Sequence, residues 1–309
     1  MIDRYRNYQP RYQTIQPRKH HHFGRLFLFA ILLAGGAVFG KSIFKQQHDA
    51  TPRVTAATIE KPKVAVKVEP IATTTWDQLS QQVEAIIAEH DDLDISVAIA
   101  DITSNTKASY GFQDNFAGAS TTKVLTAVTY LDQVQKQKRS LSQTIGSMTA
   151  KQHLKQMINQ SNNDSWSALN TNLTYATIEN YARSIGIQSY QAKNNIITAS
   201  DEALLLQKLY QRTLLSEDNT TLLLSYMQQT NNEAMIPQVI PDGAVLYHKY
   251  GQLEDRLHDA AIIDYQNRPI VVVIYTKGGA SDGSNYQSRV ALIRQIAQTI
   301  FDIIYPTAP

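Results

Sequence analysis

Apolar positions along the last three quarters of the chain change their period several times. Positions 76, 79, 83, 86 and 87 recur at the spacing of an amphipathic helix, with Thr75 as its candidate N-cap. The segments 95–100 and 107–112 then favour strands, separated by a turn-like stretch. A folded body is therefore predicted to begin near Trp76.

The middle of the chain is predicted to be helical, and the end returns to strands. From about residue 120 to residue 227, glycine is rare and proline does not occur. Three further strands are predicted at 244–250, 258–264 and 270–276, with a hairpin turn at 266–269. An amphipathic helix closes the chain.

This order of elements limits the fold class. An economical solution is an α/β (α+β) fold with a five-stranded antiparallel sheet and the terminal helices on one of its faces. The helical insert, about residues 120–230, would form an all-helical subdomain beside the sheet. We therefore predict one domain spanning residues 76–309.

A basic leader and an apolar segment precede this domain. Residues 26–40 carry no charge, but fifteen residues at about 1.5 Å each fall short of a hydrocarbon core of roughly 30 Å. Residues 23–44 form a longer segment in which Arg25 and Lys41 can snorkel. The sequence thus predicts a single transmembrane signal anchor in a lipid bilayer, followed by an extended linker at 45–75.

Charge predicts the orientation of this anchor in the cell membrane. Residues 1–45 hold eight Lys and Arg against one Asp, so the leader at 1–22 is expected in the cytoplasm and the domain outside it. A cleaved signal peptide is the alternative, opposed by the long leader and the lack of an Ala-x-Ala site.

Composition excludes several classes of function. Beyond residue 45 the chain has 21 basic and 26 acidic residues, which argues against binding of nucleic acid. His20, His21 and His22 extend the basic flank rather than indicate a metal site. The chain has no cysteine, and we expect no metal and no cofactor.

Three short motifs carry the candidate chemistry. They are Ser-Thr-Thr-Lys at 120–123, Ser-Asn-Asn at 161–163 and Lys-Tyr-Gly at 249–251. Related patterns occur elsewhere, at 42–45, 104–107 and 277–279. Each motif is therefore weak alone, and the weight comes from order, spacing and setting.

Ser120 and Lys123 are predicted to share one face at the start of a helix. A serine becomes a good nucleophile only when a base takes its proton, and a lysine can do so only with a depressed pKa. Burial and a second cation lower a lysine pKa, and Lys249 is the natural candidate for that cation.

The other two motifs suggest supporting roles. The hydroxyl of Ser161, in a break between two helices, is placed to relay a proton, and Asn163 to hold a substrate amide. Lys249 is predicted near the end of a strand, where it would attract a carboxylate. Gly251 would let a substrate backbone approach closely.

In this order and layout, the motifs resemble those of the penicillin-recognising serine hydrolases, the β-lactamase/DD-peptidase type. Within them the chain is most similar to class A β-lactamases, over about residues 76–305. The resemblance implies that Ser120 is the nucleophile, Lys123 its general base and Ser161 the proton shuttle to the leaving nitrogen. The implied substrate is a β-lactam or a peptidoglycan-like D-alanyl peptide.

The resemblance also assigns residues that bind the substrate. Asn163 would bind the side-chain amide, and Lys249 would steer the carboxylate and tune the protons. The backbone N–H groups of Ser120 and Gln252 would form the oxyanion hole. Tyr250 and Gly251 would line the site beside them.

Two departures from the family pattern affect the expected activity. Class A enzymes use a loop glutamate to activate the deacylating water, but no acidic residue lies between Asn180 and Ser200, and Glu179 belongs to the preceding helix. Tyr250 replaces the usual threonine, and its bulk would narrow the site or change the ligand. Asn162 for the usual aspartate is a milder change.

Three functions stay open at this point. The first is a membrane-anchored class A β-lactamase-like serine hydrolase, acylated at Ser120, with impaired or unusual deacylation. The second is a penicillin-binding DD-peptidase or transpeptidase. The third is a catalytically silent binding module, against which the complete set of Ser120, Lys123, Ser161 and Lys249 argues.

Overall fold

The computed structural model describes residues 69–279 and 284–306. The predicted leader, the anchor at 23–44 and most of the linker lie outside these residues. In the described part of the chain, no helix is long and apolar enough to cross a membrane. Anchoring and orientation therefore remain predictions.

The described residues form eight α-helices and nine β-strands, with a short 3₁₀ turn at Ile236–Gln238 before the last three strands. In chain order they are α1 (Thr73–Ala88), β1 (Leu93–Asp101), β2 (Lys107–Gly111), β3 (Phe116–Ala117), α2 (Lys123–Gln135), β4 (Thr144–Ile145), β5 (Met148–Thr149), α3 (Ala150–Asn159), α4 (Asn163–Leu173), α5 (Tyr175–Ser184), β6 (Ile196–Ile197), α6 (Ala199–Tyr210), α7 (Glu217–Tyr226), β7 (Val245–Leu253), β8 (Arg256–Tyr265), β9 (Arg268–Gly278) and α8 (Tyr286–Ile304).

The predicted five-stranded antiparallel sheet is confirmed, with the strand order β2-β1-β9-β8-β7. Along β9, Val271, Val273 and Tyr275 pack into the core shared with helices α2–α7. The alternate residues of β9 pack into a second core under α1 and α8. Because both faces are covered, β9 is a continuous apolar run rather than an alternating one.

The first helix begins slightly before the predicted position, and its predicted N-cap was wrong. Helix α1 begins at Thr73 with Ala72 at its N-cap, not near Trp76 with Thr75 as the cap. Ile71 is already buried in the core under α1 and α8, and its N–H donates to Asp101 Oδ2 at 3.2 Å. This long-range contact is invisible in the local pattern, so the linker ends earlier than residue 75.

The hairpin between β8 and β9 is tighter than predicted. Tyr265 pairs with Arg268, which leaves only Gln266 and Asn267 in the turn. Both have positive φ, 53° and 60°, as in a type I′ turn that matches the twist of the flanking strands.

Buried polar side chains lie between helix α6 and the turn before α2. Glu202 is fully buried, and neither of its carboxyl oxygens has a hydrogen-bond partner. Burial raises its pKa to about 8, moderated by the nearby hydroxyl of Tyr275. That hydroxyl lies 2.7 Å from Thr121 Oγ1, which itself donates to the carbonyl of Gly118. The Tyr275 hydroxyl thus lies between the Thr121 hydroxyl and the unpartnered carboxyl group of Glu202.

We expect Glu202→Gln to change how stability depends on pH. The folded-state pKa lies above the unfolded value, so the folded state binds the extra proton and loses stability as pH rises from about 4.5 to 8. At pH 8 the variant should be more stable than the wild type by about 1 kcal/mol or more. Urea unfolding at pH 5 and pH 8 measures this difference, and an identical pH dependence in both proteins would contradict it.

Candidate active site

Ser120 lies on a tight turn rather than in a helix. Helix α2 begins at Lys123, and the Lys123 N–H donates to the carbonyl of Ser120 at 3.4 Å. Ala119 has a φ of 50°, which bends the chain sharply after the short strand β3. The sequence predicted that Ser120 and Lys123 lie one turn apart at the start of a helix. They do lie one turn apart, but Ser120 belongs to the turn that precedes α2.

Gly251 supports this turn from behind. A Cβ at Gly251 would lie 3.0 Å from both the Gly118 oxygen and the Ser120 nitrogen. Only glycine lets strand β7 approach the turn so closely. Close packing against this turn is a second reason for a glycine here, and the predicted approach of a substrate backbone stays a prediction. Strand β7 also continues to Leu253, so the Lys-Tyr-Gly motif lies inside the strand and not at its end.

Lys123 is fully buried and has three neutral acceptors. Its Nζ lies 2.6 Å from the Ser161 carbonyl oxygen, 2.7 Å from Asn163 Oδ1 and 3.3 Å from Ser161 Oγ. Among the described residues no carboxylate pairs with this amine. Burial therefore lowers its pKa to about 7.

Lys249 reaches the same hydroxyl from strand β7. Its Nζ lies 2.9 Å from Ser161 Oγ and 2.9 Å from the carbonyl oxygen of Tyr250. Burial and the charge of Lys123 hold its pKa well below the usual value, against the opposing pull of Asp259. The sequence predicted that the charge of Lys249 lowers the pKa of Lys123. The repulsion instead lowers the pKa of Lys249, and burial alone lowers that of Lys123.

A pocket of about 420 Å³ opens in front of these groups. Its lining comprises Ser120, Gln160, Ser161, Asn163, Tyr250, Gln252, Leu253 and Glu254. The structure therefore brings Ser120, Ser161, Asn163, Tyr250 and Gln252 to one surface, as the sequence predicted. The two lysines lie behind this surface, with exposures of 0 % each.

Ser161 is the link between the pocket and the buried amines. Its φ of 53° and the cap of helix α4 at Asn162, whose Oδ1 accepts from the Ser165 N–H at 2.7 Å, fix its position. No hydrogen bond joins Lys123 to the Ser120 hydroxyl among the described contacts. Ser161 therefore contacts both amines and lines the same pocket as Ser120, although no hydrogen bond between the two serines is found among the described contacts.

Sequence reasoning missed Asn195, which braces the turn that carries Ser120. Asn195 Nδ2 donates to the Ala119 carbonyl at 2.7 Å, and Oδ1 accepts from Thr122 Oγ1 at 2.5 Å. The Gly118 N–H donates to the Asn195 carbonyl at 2.9 Å. A polar residue in a short loop gave no signal of this contact.

A second missed group lies behind strand β7. His248 Nδ1 lies 2.9 Å from Asp259 Oδ1, and His248 Nε2 lies 3.0 Å from Glu233 Oε1. Burial disfavours the imidazolium, but the two carboxylates outweigh it and raise the pKa of His248 to about 9. A charged histidine is thus the residue immediately before Lys249. The sequence carried one hint, a histidine in an otherwise apolar and aromatic strand.

The loop between α5 and β6 presents no carboxylate to the pocket. Glu179 projects from α5 towards this loop, where its Oε1 accepts from the Ala192 N–H at 2.8 Å. The carboxylate that lines the described pocket is Glu254, at the turn between β7 and β8.

Comparisons with known proteins agree with this geometry. The family model of the beta-lactamase enzyme family matches residues 78–304. No curated protein matches the chain.

Several solved structures share the fold at low sequence identity. An acyl-enzyme complex of a PBP-A mutant with penicillin G has a TM-score of 0.67 and 20 % identity, covering 73 % of this chain and 96 % of that one. A mutant of the last common ancestor of Gram-negative class A β-lactamases has a TM-score of 0.67 and 19 % identity, covering 74 % and 100 %. A β-lactamase from Chitinophaga pinensis has a TM-score of 0.65 and 21 % identity, covering 72 % and 97 %.

The family match spans well over half of the chain, and the fold has the sheet and the helical subdomain that the sequence predicted. The chain therefore belongs to the beta-lactamase enzyme family, within the penicillin-recognising serine hydrolases.

Proposed function

We propose that Ser120 is acylated by β-lactams or D-alanyl-type peptides and that the acyl group leaves slowly. The observation that carries this proposal is the Ser161 hydroxyl, which lies within hydrogen-bond distance of two fully buried lysine amines and beside Ser120 in one pocket. Burying two amines without a carboxylate contact is costly, and a binding surface has no need of it. An activated serine does need it.

The proposed acylation of Ser120 has the following steps. Neutral Lys123 takes the proton of Ser120 through Ser161, and the serine oxygen bonds to the carbonyl carbon of the ligand. The backbone N–H groups of Ser120 and Gln252 are proposed to hold the resulting oxyanion. The carbon–nitrogen bond then breaks, and Ser161 gives its proton to the leaving nitrogen while a lysine returns one to Ser161.

Slow release of the acyl group is proposed from the same pocket. Hydrolysis of the ester needs a base for the attacking water, and the short loop before β6 offers no carboxylate there. The acyl-enzyme of PBP-A with penicillin G belongs to a protein of the same fold. We therefore favour a penicillin-binding, slowly deacylating enzyme over an efficient lactamase. Its natural setting would be the outer side of a membrane, from the basic leader and apolar segment at 23–44.

Labelling with a fluorescent penicillin tests both parts of the proposal. The full chain in detergent should form a covalent adduct after long incubation, and Ser120→Ala should form none. Turnover of a chromogenic cephalosporin should be negligible beside adduct formation. Absence of a Ser120-dependent adduct would favour the silent binding module, and rapid turnover would overturn slow deacylation.

The rate of acylation should depend on pH through Lys123. Its pKa of about 7 means that the amine is protonated and inactive below that pH and becomes a base above it. The acylation rate should therefore rise between about pH 6 and pH 8, and Lys123→Ala should lower it by about 10²–10⁴-fold.

Lys277→Ala is the matched control for this experiment. Lys277 belongs to the second Lys-x-Gly pattern of the sequence, at 277–279. Its Nζ pairs with Asp94 Oδ2 at 2.9 Å, and it does not line the pocket. This variant should keep the wild-type pH profile. A wild-type profile that is flat from pH 6 to pH 8 would contradict the assignment of Lys123 as the base.

Asn195→Asp should slow acylation by misplacing Ser120. The substitution removes the donor to the Ala119 carbonyl and puts a charge against that oxygen, while Asp, like Asn, tolerates the positive φ of 53° found at this position. The maximal acylation rate should fall about tenfold or more, with a smaller change in the half-saturating ligand concentration. The exposed neighbour Asn194→Asp should behave as the wild type, and equal rates for both variants would refute the role of Asn195.

A further inference from the structure

The side chain of Tyr250 covers the amine that a carboxylate ligand would need. Lys249 Nζ lies 4.2 Å from the centroid of the Tyr250 ring, a distance typical of a cation–π contact. The same amine contacts Ser161 Oγ and the Tyr250 carbonyl oxygen, and the Lys249 side chain has no exposed surface. Tyr250, in contrast, lines the pocket.

The ring is held in this position by packing. Tyr250 also packs against the hydrophobic core under α1 and α8. Its backbone lies in the middle of the β7–β8 ladder, opposite Asp259. Uncovering Lys249 therefore means breaking apolar contacts as well as the contact with the cation.

No cation reaches the pocket from elsewhere in the described residues. Its polar lining consists of hydroxyl and amide groups, the phenol of Tyr250 and the carboxylate of Glu254. Lys123 is fully buried with three neutral acceptors. On the hairpin beside the pocket, Arg256 Nη1 lies 2.6 Å from Asp255 and 3.3 Å from Glu254.

Binding a ligand carboxylate in this pocket would cost free energy. It would lose hydration without gaining a cationic partner. An ester, an amide or a continuing peptide chain at the same position carries no charge and would avoid this cost.

We infer that Tyr250 determines specificity by hiding Lys249, so that the site selects acyl donors without a free carboxylate beside the scissile nitrogen, such as amide-capped or chain-internal peptides. This inference rests on the proposed acylation of Ser120 and differs from the expectation that Lys249 steers a carboxylate. Lys249 keeps its second role, since its contact with Ser161 is intact.

A matched pair of ligands tests the inference. Acylation of the full chain by benzylpenicillin and by its methyl ester is followed by mass spectrometry in the wild type, Tyr250→Thr and Tyr250→Phe. The wild type should react with the ester at least as fast as with the acid. Tyr250→Phe keeps the ring and should keep this ratio. Tyr250→Thr uncovers Lys249 and should shift the ratio towards the acid by about tenfold, the size expected for one charge-assisted hydrogen bond.

The outcomes separate this inference from the proposed function. A wild type that clearly prefers the acid would overturn the role of Tyr250 while supporting acylation of Ser120, even if Tyr250→Thr failed to fold. An unchanged ratio in a folded Tyr250→Thr variant would do the same. Failure of both ligands to acylate Ser120 in every variant would instead overturn the proposed function.

Discussion

The site depends on one constraint, the burial of two lysine amines around a single serine hydroxyl. Lys123 and Lys249 have no exposed surface, and Ser161 Oγ lies within hydrogen-bond distance of both. Two charges cannot be kept there without a carboxylate, so at least one amine is driven towards its neutral, basic form. Helix α2 supplies one amine and strand β7 the other, and the break before α4 supplies the hydroxyl. The sheet and the helical subdomain must therefore dock accurately for the chemistry to exist.

Close packing, more than charge, holds the sheet against the helical subdomain at this site. Gly251 lets β7 touch the backbone of the Ser120 turn, and Asn195 clamps that turn from the other side. Behind them, Tyr275 connects the turn to the core between sheet and helices. Such contacts leave little freedom for the serine, which favours catalysis by preorganisation. They also hold Ser120 on the turn before α2, which begins at Lys123.

The sequence predicted the features that depend on local pattern. Strand periodicity located the five strands of the sheet, and three spaced motifs located Ser120, Ser161 and Asn163 at one pocket. The sequence did not predict features that depend on long-range contacts. Ile71 packs with the domain because Asp101 binds its backbone, and Gly251 packs against the turn that carries Ser120. The position of the Tyr250 ring could not be predicted either, since it depends on a core formed by both ends of the domain.

The carboxylate of Asp259 has two neighbours that the pocket does not expose. Its charge raises the pKa of Lys249, against the larger effects of burial and of Lys123. Its Oδ1 also lies 2.9 Å from Nδ1 of His248, whose Nε2 lies 3.0 Å from Glu233 Oε1. The electrostatic environment of a buried amine thus extends to side chains that no ligand touches.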